Sequence, residues 1–290
     1  MSSSAGVQVQ PRARPMPARW RIADIDFDAI DPAAIAGDRF AFTIVFLASF
    51  IETGSDLYAE NLVEYFADDA EVSDWLRETW QREEVQHGNA LRAYAERVWP
   101  EVDWQRAYDE FFAEYSRTCT VGDLEPARAL ELAARCIVEM GTSTFYSALH
   151  DYAREPVLKD LAARIFADEA RHYKHFYRHF RRYQQHERHS RWRIGRTLLR
   201  RLLETRTGDG YYAFRQLRES AKPDGQTALD ADYGAFTRAF GAFIRRHGPR
   251  EMPFRMALKP LQLPPATVRW LVRHGAPAYA LWSGWADAGR

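Results

Sequence analysis

Two stretches of the sequence, EEVQHG and DEARH, set a glutamate three residues before a histidine: Glu84 with His87, and Glu169 with His172. On a helix such residues share one face, so each pair offers a carboxylate and an imidazole in the same direction. Of the nine histidines only these two have that neighbour, where composition alone would supply it in roughly one case in fifteen. The stripe Leu76, Trp80, Glu84, His87, Leu91, Tyr94, Val98 steps by threes and fours, as does Leu158, Leu161, Ile165, Glu169, His172, Phe176, so both pairs interrupt apolar faces. Two further stripes each carry one glutamate: Val45, Ala48, Glu52, Ser55, Ala59, Leu62, and Leu132, Cys136, Glu139, Thr142, Tyr146. Glu60, two turns after Glu52 on nearly the same face, is the alternative to it. Four carboxylates converging in a dry core cannot all stay ionised unaided, whereas two divalent cations cancel their charge. Oxygen and imidazole donors suit iron or manganese better than a structural zinc, which favours thiolates. The expected cofactor is two Fe ions, with manganese left open as the alternative.

Four long helices must position these groups. Pro32 and Pro100 bracket a long proline-free stretch, and Pro126 and Pro156 stand where helices would begin. The pattern predicts helices over 37–66, from a Ser73 cap to about Val98, over 102–116, 123–151 and 156–186, with no strand-like alternation. Beyond residue 187 it predicts an Arg-rich helix to Thr205, helical stretches near 211–221 and 228–246, and a proline-rich end. The expected organisation is a flexible tail over 1–36, an all-α four-helix bundle over 37–186 with an extra helix between the second and third, and a C-terminal helical extension over 187–290, basic at its start. The order of donors is that of ferritin-like dinuclear carboxylate bundles.

The residues resemble the soluble acyl-carrier-protein desaturase family. WQREEVQHGNAL resembles its W-x-x-E-E-x-x-H-G-x-x-L segment, EMGTSTF its third-helix E-x-x-T-F-like turn, and ADEARH its A-D-E-x-R-H, over roughly residues 38–185. The resemblance implies Glu52, Glu84, His87, Glu139, Glu169 and His172 as metal ligands, Thr142 as a proton donor toward bound oxygen, and Asp168 as a hydrogen-bond partner of a ligand histidine. Without it, a hydroxyl bonded to its own helix backbone is the simpler reading of Thr142. The implied activity is O2-dependent oxidation of an apolar, carrier-linked acyl substrate, with desaturation first and hydroxylation or N-oxygenation as the alternative. Arylamine N-oxygenases resemble the same pattern but put a histidine where Ile165 stands, and ribonucleotide reductase small subunits usually begin their ligands with aspartate. A ferroxidase of the ferritin type is the alternative from another class. Tyr146, Trp80 and Tyr94 are expected to pack the core.

The bulk numbers agree with a globular enzyme. With 290 residues, 46% apolar and 28% charged, the chain can bury a large core, and forty basic residues balance forty acidic ones, which gives no general drive toward nucleic acid. Cys119 and Cys136 form no C-x-x-C pair, which fits a reducing cytoplasm, and neither a signal peptide nor a transmembrane segment is expected. No redox domain is legible, so electrons are expected from an external ferredoxin-type donor. Twelve Lys or Arg against two acids between Arg171 and Arg206 make acyl carrier protein a candidate partner, and the assembly a candidate homodimer. Trp192, Ile194, Leu198, Leu199, Leu202 and Leu203 are expected to pack that stretch on the bundle.

Overall fold

A computed structural model of the chain describes residues 20–204, 209–220 and 233–285, with side chains to residue 275. The expected all-α class is what it shows: every regular element among the described residues is helical. The bundle consists of α1 (Arg39–Tyr65), α3 (Gln81–Val98), α5 (Arg128–Tyr152) and α6 (Pro156–Glu187), with α1 packed along α3 and α5 along α6. Between α1 and α3 lies the short α2 (Ala70–Trp75), and α4 (Trp104–Tyr115) is the extra helix. Starts are set by side chains that satisfy otherwise orphaned backbone donors. Asp38 accepts from the amides of Phe40 and Ala41, Asp103 from Arg106, and Glu155 from Val157 and Leu158 beside Pro156. The second long helix is capped by Asp69, which accepts from the Val72 amide, and not by Ser73, which is buried one turn inside it.

A π-helical turn, Leu76–Trp80, joins α2 to α3. Leu76, Trp80 and Glu84 step by four, which drifts about 40° per step on a regular helix; the wide turn absorbs the surplus and leaves all three buried. Gly88, directly after His87, lets α1 and α3 approach closely: a Cβ there would meet the Thr53 backbone nitrogen at 2.6 Å and its Cα at 2.9 Å. Gly88→Ala is therefore expected to destabilise the protein by about 1–3 kcal/mol, read from denaturant unfolding with the metal content measured in parallel. An unchanged midpoint would refute the close-approach role.

Expectations for the N-terminal tail, for the apolar side of the Arg-rich helix and for the basic stretch are corrected. Of the expected tail, residues 20–36 pack on the bundle. Trp20, Ile25 and Ile35 are buried, and Ala36 accepts from the Trp99 indole; residues 1–19 lie outside the described residues. The proline-rich end forms α10 (Met252–Leu258) and α11 (Pro265–Trp285), and together with α7 (Arg191–Glu204), α8 (Asp209–Ser220) and α9 (Tyr233–His247) the C-terminal part covers the bundle, α7, α9 and α10 lying on α5. On α7, Ile194 and Leu198 are buried, but Trp192, Leu199 and Leu203 face solvent. The basic stretch is also less free than its composition implies. Arg178 and Arg182 pair with Glu71, Arg182 also with Asp69, Arg200 with Glu125, and Arg171 points inward to Glu83 and Asp168. Among the described residues one helix, Arg39–Tyr65, is long and apolar enough to cross a membrane by composition, but 67% of that window is buried inside the protein, as in a core helix.

Candidate metal centre

The four bundle helices bring six side chains into one buried cluster. Glu52, Glu84, His87 and Glu169 form one donor group and Glu84, Glu139, Glu169 and His172 a second, with the donor atoms of each group lying within 4.8 Å of one another. Glu84 and Glu169 belong to both, one from each Glu-x-x-His helix, so each would offer a carboxylate to both of two bound ions. His87 Nδ1 lies 3.3 Å from Glu169 Oε1 and 3.7 Å from Glu52 Oε2; His172 Nδ1 lies 3.0 Å from Glu84 Oε1 and 3.5 Å from Glu139 Oε2. Glu84 Oε1, Glu139 Oε2, Glu169 Oε1 and both Nδ1 atoms are buried without a hydrogen-bond partner. Orphaned donors of this kind are costly unless something else satisfies them, and carboxylate with imidazole is the donor set for iron or manganese. Glu60, the alternative to Glu52, is exposed.

Each histidine is held from behind by the acid that precedes the other helix's cluster glutamate. His87 Nε2 lies 3.0 Å from Asp168 Oδ2 and His172 Nε2 lies 2.7 Å from Glu83 Oε2. An anion behind Nε2 keeps a proton there and turns the Nδ1 lone pair toward the cluster. Asp168, for which the resemblance implied a histidine partner, thus lies against His87, and Glu83, for which no role was expected, lies against His172. The signal was present as the doublets Glu83–Glu84 and Asp168–Glu169. Arg171 bridges the two acids, at 3.2 Å from Glu83, and the Trp20 indole donates to Asp168 Oδ2 at 2.8 Å. Burial pushes the Asp168 carboxyl up, but the His87 bond and the charges of His87 and Arg171 outweigh it and hold it below the usual carboxylate range. Loss of such a partner typically costs about 10–100-fold in metal affinity. That loss is expected for Asp168→Ala and for Glu83→Ala, titrated with ferrous ion under anaerobic conditions; native affinity in both would sink the orienting role.

Three more residues act on the cluster. Arg135, buried on α5, donates from Nη2 to Glu139 Oε1 at 2.8 Å and lies over the rings of Tyr58 and Trp80. A lone arginine in an apolar stripe gave no usable sequence signal. Tyr146 goes beyond core packing, because its hydroxyl donates to Glu52 Oε1 at 2.5 Å; Tyr94, by contrast, bonds Glu155, away from the cluster. The Thr142 hydroxyl donates to Glu169 Oε2 at 2.5 Å and also lies 3.2 Å from the Glu139 carbonyl, so it serves the backbone and the cluster together. Burial, and then the Glu52 charge, pushes the Glu84 carboxyl up to about 7, and burial with the Glu84 charge raises Glu169. Glu52, Glu84, Thr142 and Tyr146 line a cavity of about 2600 Å³ whose walls include Ile44, Leu47, Met140, Phe145 and Phe240.

The helical architecture has a counterpart among solved structures. The chain superimposes on a point mutant of an R2-like ligand-binding oxidase with an anaerobically reconstituted Mn/Fe cofactor, at TM-score 0.52 and 15% identity, over 84% of this chain and 88% of that one. The fold is ferritin-like. At this identity the likeness speaks for the architecture, and the donor geometry above stands on this chain's own residues. No protein-family model matches the sequence, and no curated protein does.

Proposed function

We propose that this protein is an O2-dependent dinuclear-metal oxidoreductase that oxidises a C–H bond of an apolar acyl substrate, with desaturation the first reaction to test. The observation that carries the reading is the opening of the orphaned donor cluster, through Glu52, Glu84 and Thr142, into a large and mostly apolar cavity. Iron is the metal favoured by the donor set, and the Mn/Fe cofactor of the structural neighbour supports manganese as an occupant of one position. A centre of this kind supplies the redox chemistry that couples oxygen reduction to C–H oxidation. The chain's own residues supply the rest. Glu52, Glu84, His87, Glu139, Glu169 and His172 hold the metals; Asp168 and Glu83 fix the imidazole orientation; the apolar walls orient an alkyl chain and exclude water. Thr142 Oγ1 and Tyr146 Oη hold protons on the cavity side, bonded to Glu169 and Glu52. A ferredoxin-type donor supplies electrons, an acyl carrier protein is the proposed bearer of the substrate, the assembly is a homodimer, and the setting is cytoplasmic.

The competing reading is a ferroxidase, which would use a similar cluster without a substrate cavity. The test is turnover with a reductase, a ferredoxin and a saturated acyl substrate, using iron-loaded protein. Oxygen consumption is expected to match a product lighter by two hydrogens, or, for hydroxylation, heavier by one oxygen. Thr142→Val should keep its metal and slow that turnover by about 10²–10⁴-fold if it delivers protons; an unchanged rate would return it to a structural role. Bulk iron mineralisation with no oxidised product would overturn the enzyme reading.

A further inference from the structure

The cavity lining combines two chemistries. Glu52 and Glu84 of the carboxylate–histidine cluster belong to it, and α9, the turn after it and α11 contribute Arg238, Arg245, Arg250, Arg269 and Arg273 to the same lining. Among the described residues no carboxylate forms a salt bridge with any of these five, whereas Arg255 and Arg201, which also line the cavity, pair with Glu251 and Glu131. Arg245 Nη1 is buried without a hydrogen-bond partner. Trp270, 62% exposed, and Leu203, 49% exposed, are also in the lining, so the cavity reaches solvent. Phe243 of α9 touches both Phe145 and Tyr152, between about two and four helical turns along α5 from Glu139. This sets Phe243 on the order of 10–20 Å from the cluster.

Five guanidinium groups from separate elements lining one cavity repel one another, and although Glu204, Asp209 and Glu251 share the lining, no described carboxylate forms a salt bridge with them. An anion relieves the repulsion, and guanidinium binds carboxylate or phosphate oxygens through paired, charge-assisted hydrogen bonds. An apolar tail attached to that anion gains about 0.8 kcal/mol for each methylene moved from water to the cavity wall. We infer that the α9–α11 arginines form a head-group site for a single-chain amphiphile with a carboxylate or phosphate head, its tail running along the cavity toward the carboxylate–histidine cluster. The fate of the tail rests on the proposed oxidase reading; binding of the head does not.

The test is equilibrium binding to the full chain, metal-free and iron-loaded, with laurate, lauryl phosphate and lauryl alcohol below their aggregation concentrations. At least one of the two anions should bind about tenfold more tightly than the alcohol, the ratio one charge-assisted bond supplies. That preference should shrink as salt is raised. The stronger of the two anions identifies the head, and so whether a free acid or a phosphate-bearing carrier is its source. Arg245→Gln with Arg273→Gln should erase the preference while leaving alcohol affinity within about twofold, a selective loss that general unfolding would not produce. Because Arg245 is partly buried, Arg269→Gln with Arg273→Gln, both exposed, serves as a second variant and should reduce the preference without changing the melting temperature. Equal affinity of anions and alcohol in the native chain, or a full preference retained in both variants, would overturn the inference. A clear anion preference with no oxidised product from iron-loaded protein would leave the head-group site standing and remove the oxidase.

Discussion

Glu84→Ala and Glu169→Ala are each expected to reduce metal content from about two ions per chain to below one, and to abolish measurable oxygen consumption. Each glutamate belongs to both donor groups, so each substitution removes a donor from both positions at once. Glu52 belongs to one group only, and Glu52→Ala should leave a single ion bound. Losing an outer partner of a ligand already costs about 10–100-fold in affinity, so losing a carboxylate shared by two ions should cost more. Metal analysis after anaerobic loading reads the result directly. Two ions bound in both bridging variants would show that the cluster is not the metal centre.

The second large effect is on stability. Between pH 5 and 8 the metal-free protein should become less stable as pH rises, while the metal-loaded protein changes little. Burial and the Glu52 charge raise the Glu84 carboxyl from 4.5 to about 7 in the folded state. The folded protein therefore holds this proton more tightly than the unfolded chain, and the stability it brings is present below the ordinary value and lost as pH rises through 7. At 1.36 kcal/mol per unit this amounts to on the order of 3 kcal/mol, or a fall of roughly 10 °C in melting temperature. His87 and His172 act in the same sense. Burial lowers their affinity for protons, but the carboxylates around them, Asp168, Glu169 and Glu52 at His87, and Glu139, Glu83 and Glu84 at His172, outweigh it and raise both. The stability gained from protonated imidazoles is likewise lost as pH rises through the raised values. The depressed Glu83, Glu139 and Asp168 work in the opposite direction, but only below the ordinary carboxylate range, outside this window. Metal ions take the place of these protons, so the stabilisation on loading should grow with pH. A melting temperature of the metal-free protein that stays flat or rises from pH 5 to 8 would refute this account.

The cluster was legible in the sequence because helical periodicity is a local property. Glu84 with His87, and Glu169 with His172, face one way by their spacing, and the apolar residues around each mark that face as inward. The all-α class and the four long helices followed from the same periods. What meets what across the bundle is not local. The pairing of His87 with Asp168 and of His172 with Glu83 depends on the relative heights of α3 and α6, a register that no single helix encodes. Arg135 gave no signal of its own, because its role depends on the rings of Tyr58 and Trp80 and the Glu139 carboxylate that close around it. Trp20 was assigned to a tail because its partner lies 148 residues away. The role of the C-terminal helices was hidden for the same reason: their arginines are scattered along the sequence, and only the packing of α9 and α10 on α5, and of α11 on α9 and α10, brings them into one cavity lining. Spacing along one helix determined which groups could act together, and the docking of helix on helix, driven by burial of faces remote in sequence, decided which partners they found.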